Sequence, residues 1–256
     1  MQATIDVRGL TKRYGNVDAV ANLSFTVQPG EVFGFLGPNG AGKTTTIRML
    51  TGLLKPTHGT AIVAGHDILQ DTIAVKRRIG FVADGPFLYP KLTAREFLDF
   101  IGELYGVDAR ASAARKSELL ALFGMDDKAD ELLEGYSHGM RQKIALAGAL
   151  LHDPSVLFLD EPTSGLDPRS ARIVKDLLRG LAARGCTVFM STHVMEIAEA
   201  MCDRVGIIDH GELVAIGAVD DLRRQARADG ATLEDIFLHL TGAADTSEIA
   251  SYLGAR

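Results

Sequence analysis

Gly37-Pro38-Asn39-Gly40-Ala41-Gly42-Lys43-Thr44 fits G-x-x-x-x-G-K-[ST] at every defined position. Glycines without a Cβ let successive backbone N–H groups turn inward around one anion, and the start of a following helix adds positive potential. Lys43 then brings a point charge to β- and γ-phosphates, Thr44 offers a hydroxyl to Mg²⁺, and Thr45 continues the same helix start. A glycine-rich turn with an incidental lysine is the plainer alternative. The flanks speak against it, because the almost wholly apolar Val32 to Leu36 reads as a strand and Thr45 to Leu54 as a helix stopped by Pro56.

A second constellation stands far downstream. Val156-Leu157-Phe158-Leu159 is an apolar strand that delivers Asp160 and Glu161 at its C-terminal end, where ligands sit in open α/β sheets. An acidic pair after a strand is usually a solvated loop. In a chain with a phosphate loop, Asp160 can instead hold the Mg²⁺ shell while Glu161 faces the attacking water, which separates nucleotide hydrolysis from nucleotide binding. Ser137-His138-Gly139-Met140-Arg141-Gln142 begins 100 residues after Gly37. Ser137 is a natural N-cap, so this stretch reads either as a second anion-friendly helix start or simply as a capped helix.

The elements that must position these groups follow from periodicity. Ile5 and Val7, then Leu23, Phe25 and Val27, alternate with polar residues and read as two half-exposed strands separated near Asn16. Further strands are expected at Thr60 to Ala64, Ile79 to Val82, Thr187 to Ser191, Val205 to Asp209 and Glu212 to Ile216, the last two joined by a His210-Gly211 hairpin. Residues 92–151 differ. Thr93 and Glu96 form a capping box, Phe97, Ile101, Leu104 and Tyr105 recur at helical spacing, Leu119, Leu120, Leu122 and Phe123 mark a second helix stopped by Gly124, and a third runs from about Ser137 to Leu151. Asp167 caps a later helix with Pro168 at its first position and Gly185 at its end. The expected fold is α/β: a mostly parallel sheet of P-loop NTPase type, an antiparallel N-terminal β subdomain, and an all-helical lobe inserted at about residues 84–151. One domain spans 1–242, and 217–256 form a C-terminal extension of two short helices and a polar tail.

Composition narrows the class. With 256 residues, 46% hydrophobic and 23% charged, the chain can bury a sizeable core. A net charge of −6 argues against nucleic acid as a partner. Ile144 to Leu151, the longest apolar candidate, falls far short of the roughly 18 residues of a membrane helix, and the N-terminus lacks the basic flank and apolar core of a secretory signal. A cytoplasmic location is expected. Cys186 and Cys202 read as small hydrophobes rather than a disulfide, and His58, His66, His152, His210 and His239 do not form a metal cluster.

The order of motifs resembles the nucleotide-binding domain of ATP-binding-cassette transporters. It runs from the phosphate loop through a serine-glycine signature after a helical lobe, the Asp160-Glu161 strand end and Ser164-Gly165-Leu166-Asp167 to Ser191-Thr192-His193. The resemblance spans roughly Ile5 to Ile216. It implies ATP and Mg²⁺ as ligands, adenine stacked on Tyr14, and a bond from His193 to the γ-phosphate. It further implies that Ser137 and Gly139 contact the ATP held by a second subunit, identical or not, and that Ser164 to Asp167 line that contact. Taken singly, Tyr14 reads as an edge-strand aromatic and His193 as a core histidine at a strand end. Two departures stand out: Asp84 where the family carries a glutamine near Mg²⁺, and His138 and Met140 where glycine and glutamine are commoner. Asp84-Gly85-Pro86 also suits a plain turn.

Function is therefore expected to be ATP hydrolysis that powers separate integral membrane permease subunits, at the inner face of the membrane, with the region from Asp84 to Tyr105 as their docking surface. Leu233-Glu234-Asp235-Ile236-Phe237 resembles the ATPase subunits of drug, lipid or polysaccharide exporters. The alternative is a soluble cassette ATPase of DNA repair or translation, but repair members interrupt the cassette with long coiled coils and translation members usually pair two cassettes. A GTPase is disfavoured because the guanine-reading N-K-x-D motif is missing.

Overall fold

The computed structural model describes residues 2–225 and 232–241. Strand β1 (Ile5–Tyr14) pairs antiparallel with β2 (Val17–Val27) and with β4 (His58–Val63), and β4 carries the two-residue β5 (His66–Asp67). These form a four-stranded sheet in the order β2-β1-β4-β5. The second sheet contains β3 (Val32–Leu36), β6 (Ile79–Val82), β7 (Val156–Asp160), β8 (Thr187–Thr192), β9 (Arg204–Asp209) and β10 (Glu212–Gly217) in the order β10-β9-β3-β8-β7-β6. Every neighbour in it is parallel except the β9–β10 hairpin. At that hairpin His210 and Gly211 have φ of 45° and 84°, the double left-handed turn that matches strand twist. The expected α/β architecture with an antiparallel N-terminal subdomain stands.

Helix α1 (Lys43–Leu50) follows β3, and α2 (Thr72–Arg78) precedes β6. Between β6 and β7 lie α3 (Ala94–Leu104), α4 (Ala109–Phe123) and α5 (His138–Leu150), with two single 3₁₀ turns and no named strand among them. Thr93 and Glu96 make the expected capping box, Gly124 ends α4 in the left-handed conformation, and Ser137 caps α5. Beyond β7 come α6 (Pro168–Ala183), α7 (Met195–Met201), α8 (Val219–Gln225) and α9 (Leu233–Thr241). The polar tail expected after these two short helices lies outside the described residues.

Strand alternation explains the core. In β7, Val156 and Phe158 face the antiparallel sheet while Leu157 and Leu159 face the helical lobe, and Phe33 and Phe35 of β3 share the first side. Phe189 sits at the centre of the first cluster, with the rings of Phe33, Phe35 and Phe158 at 5.4–5.5 Å and that of Phe25 at 6.2 Å. A third cluster packs α8 and α9 onto α7 through Leu222, Leu233 and Ile236.

Some expectations shift. The first helix ends at Leu50, four residues early, because Gly52 adopts φ 67° beyond the cap and terminates it before Pro56 acts. Leu104 and Leu122 keep the expected helical spacing but are exposed, since each sits at the flank of its apolar stripe. Two elements, β5 and α2, carried no sequence signal: one is two residues long and the other buries only Val75.

Phe189→Ala removes the central ring of a cluster with no room to collapse. It should cost about 3–5 kcal/mol of unfolding free energy in a denaturant titration, whereas Phe100→Ala on the surface should cost under about 1 kcal/mol.

Candidate nucleotide site

The phosphate loop leaves β3 and enters α1 through contacts that only glycine permits. A Cβ on Gly37 would stand 2.2 Å from the carbonyl oxygen of Ile208, and one on Gly42, at φ 108°, would stand 2.5 Å from that of Ala19. Ala41 is buried beneath the loop, its N–H donating to Pro38 O and its carbonyl accepting from Gly211 N–H. Lys43 is 7% exposed and curls back so that its Nζ donates to Gly37 O at 2.6 Å and Pro38 O at 3.1 Å. Burial pushes its ammonium down from the usual lysine value, and the carboxylates of Glu161 and Asp160 push it back up.

Above the loop lies a pocket of about 190 Å³ lined by Asn39, Gly40, Gly42, Lys43, Thr44 and Thr45 together with Ala19, Asp84, Asp160 and Glu161. Thus the loop, the strand-end acids and the atypical Asp84 converge. Asp160 is 2% exposed: its Oδ2 accepts from the Thr44 hydroxyl at 2.7 Å and its Oδ1 from the Ser191 hydroxyl. The parallel register that pairs Asp160 with Ser191 across β7 and β8 sets the second bond. A hydroxyl and carboxylates at the mouth of a phosphate loop form an all-oxygen donor set, which suits a hard cation such as Mg²⁺.

Glu161 has φ 50°, a left-handed conformation uncommon for glutamate, and four contacts hold it there. Its N–H donates to Ser191 O and its carbonyl accepts from Ser164 N–H, both at 3.1 Å. Its Oε2 accepts from the Thr192 hydroxyl at 3.1 Å, and its Oε1 lies 2.8 Å from His193 Nδ1. The two residues expected to act at the γ-phosphate therefore touch each other. Ser191 and Thr192 had been seen only as part of a motif. Their signal was present, as two hydroxyls ending an otherwise apolar strand.

The remaining expected residues stand elsewhere. Tyr14, 52% exposed, ends β1 with the Lys12 ammonium 5.3 Å from its ring centroid, and it does not line the pocket. Its strand lies between β2 and β4, but β4 pairs with it only as far as Thr11, so at Tyr14 the one strand partner is Val17 of β2. Ser137 caps α5 by accepting Met140 N–H at 3.3 Å, and Asp167 caps α6 by accepting from Ser170 N–H and its hydroxyl, which holds the Asp167 carboxyl below the usual range. Gly139 faces Gly165 O and Leu166 across a short gap. Ser137, Gly139 and Asp167 thus belong to the start of α5 and the loop beside it, and none of them lines the pocket.

A larger apolar groove of about 440 Å³ opens between sheet and lobe, with Phe81, Phe87, Phe97, Ile101 and Tyr105 among its walls. Phe87 is 85% exposed at its rim and stacks edge-on with Tyr89, which does the same with Phe100. No described helix is long and apolar enough to cross a membrane.

The profile of the ABC transporter family matches residues 20–164. The linearmycin resistance ATP-binding protein LnrL of Bacillus subtilis (strain 168) is 41% identical over 218 residues, 85% of this chain and 70% of that protein. The Nod factor export ATP-binding protein I of Burkholderia lata is 44% identical over 216 residues, 84% of this chain and 71% of its own. A solved ATP-binding subunit of an ABC transporter superposes with a TM-score of 0.89 at 31% identity, covering 93% of this chain and 99% of that one. A dimeric ATP-binding cassette in a post-hydrolysis state, bound to ADP and Pi, gives a TM-score of 0.78 at 25% identity over 84% of this chain and 98% of its own. With the family profile over residues 20–164, a relative at 41% identity over 85% of the chain and a solved ATP-binding subunit at a TM-score of 0.89, the chain belongs to the ABC transporter family, as one of its ATPase cassettes.

Proposed function

We propose that this chain hydrolyses ATP to drive an exporter, as a cytoplasmic subunit held to the inner face of the membrane by separate permease subunits. The observation that carries the proposal is the Glu161 carboxylate, fixed by Thr192 and His193 at the edge of the phosphate-loop pocket. Domain limits follow the same reading: one cassette over 1–242 with the helical lobe of about 84–151 inserted, then the C-terminal extension of 217–256.

Each residue has a role in that reaction. Backbone N–H groups of Gly37 to Thr45, from Pro38, Asn39, Gly40, Ala41 and Gly42 onward, surround the phosphates wherever an amide hydrogen is available. Lys43 leaves the carbonyls of Gly37 and Pro38 for the β- and γ-phosphates. Thr44 and Asp160 would hold Mg²⁺, with Asp84 reaching it through a water; bound there, the ion supplies charge neutralisation at the phosphate oxygens. Glu161 orients a water for attack on the γ-phosphorus and takes its proton as the bond to the ADP oxygen breaks. His193, whose Nδ1 lies against Glu161, offers its Nε2 to a γ-phosphate oxygen.

Ser137, Gly139 and Asp167 complete the site of a second cassette, which accounts for their absence from the pocket of their own chain. The apolar groove, rimmed by exposed Phe87, is where a membrane subunit docks. Export is favoured by the names of the relatives, one an export protein and one a resistance protein.

Glu161→Gln should keep ATP affinity, lose turnover by about two to four orders of magnitude, and form an ATP-dependent dimer visible by gel filtration with and without MgATP. Unchanged turnover would remove Glu161 from the chemistry. Tyr14→Ala should weaken nucleotide binding roughly ten- to hundredfold, since base stacking is worth about 1–3 kcal/mol; fluorescence titration with labelled ATP measures it. Asp84→Ala should raise the Mg²⁺ concentration for half-maximal ATPase while leaving metal-free ATP binding intact, and Asp84→Gln should restore most of the requirement. A magnesium titration that overlays the parent would make Asp84 a turn residue only.

A further inference from the structure

The departure at position 138 has a structural counterpart. Gly165 lies at φ 68°, and a Cβ built on it would meet His138 Cδ2 at 2.4 Å and Nε2 at 3.0 Å. The Cδ2 edge of the imidazole therefore lies against the backbone of the loop that ends in Asp167, filling space that a glycine at position 138 would leave open. Two more residues of α5 face the same loop. Gly139 approaches Gly165 O and Leu166 Cδ2, while buried Gln142 holds its Nε2 at 3.5 Å from Pro162 O and leaves its Oε1 without a partner. The loop itself is tied to Glu161, whose carbonyl accepts Ser164 N–H, and Leu166 N–H donates to Thr163 O.

We propose that His138 is a positioning residue that clamps the loop Ser164–Asp167 to the first turn of α5, so that Ser137, Gly139 and Asp167 reach the second cassette's ATP as one unit. This rests on the proposed trans role of Ser137 and Gly139. In a glycine signature the two pieces are joined only by backbone proximity and the long Gln142 contact. Here the edge of an imidazole joins them, and the substitution of His138 changes how the loop is held without touching the phosphate pocket of its own chain.

The test uses the full chain carrying Glu161→Gln, with His138→Gly, His138→Phe or Ser137→Ala added. Amide exchange of the nucleotide-free protein is read first. His138→Gly should speed exchange at Ser164 and Leu166 alone, and His138→Phe, which keeps a planar ring of similar reach beside Gly165, should not. Unchanged exchange, or faster exchange throughout the protein, overturns the clamp. MgATP-driven assembly is read next by light scattering: His138→Gly should raise the MgATP concentration for half-maximal assembly roughly two- to thirtyfold, the span of coupling by residues that touch no ligand, and His138→Phe should restore it. If Ser137→Ala loses assembly and His138→Gly does not, the clamp falls and the trans reading stands. If Ser137→Ala assembles like its parent, the trans reading falls and the clamp with it; a parent that stays monomeric excludes an identical partner, and the amide-exchange result alone then decides the clamp.

Discussion

The buried carboxylate of Asp160 ties the site together. At 2% exposure it has almost no water, so its charge depends on hydroxyls from two other places in the chain, Thr44 at the start of α1 and Ser191 at the end of β8. Hydrogen bonds to a charged group contribute about 1.5–3 kcal/mol each, and a buried charge stripped of them costs several kcal/mol. These bonds fix the distance between phosphate loop and acidic strand end. The second bond follows from the β7–β8 register, which also brings Thr192 and His193 to Glu161. A parallel sheet suits this arrangement, because β3, β7 and β8 all point their C-terminal ends the same way and deliver their last residues to one edge.

The interaction also divides the molecule into halves with different chemistry. On the Asp160 side, charged groups converge on a small pocket and hold one another: Lys43 on its own loop carbonyls, Glu161 on His193. The Lys43 contacts are ones that a triphosphate could take over. On the other side, Ser137 and Asp167 use their side chains as helix caps, Ser137 taking the Met140 N–H and leaving those of His138 and Gly139 without an intrahelical partner. In the proposed dimer, unlike halves of two chains join.

Much of this was legible in the sequence, for identifiable reasons. The phosphate loop could be read because its glycines answer local steric demands, as Gly37 and Gly42 show. The caps at Thr93, Ser137 and Asp167 could be read because capping is a matter of a few neighbouring residues. The strands of the second sheet were found within a residue, most of them because burial on both faces leaves apolar runs. What stayed hidden was tertiary. Nothing local to Ser191 says that its hydroxyl meets Asp160, since a register between β7 and β8 decides it. The Glu161–His193 contact and the seating of His138 on Gly165 likewise join segments far apart in the chain. The early end of α1 was missed for a smaller reason: Pro56 was the louder signal, and Gly52 acted first.

The most direct test of this account is Asp160→Asn, a change of nearly constant volume that removes the charge and turns one acceptor into a donor. Nucleotide affinity should be measured with and without Mg²⁺, alongside thermal unfolding. If Asp160 joins the loop to the strand edge and holds the metal shell with Thr44, the variant should fold, bind metal-free ATP nearly as the parent does, and lose the affinity that Mg²⁺ adds. An Asp160→Asn protein whose ATP affinity still rises with Mg²⁺ as the parent's does would contradict it.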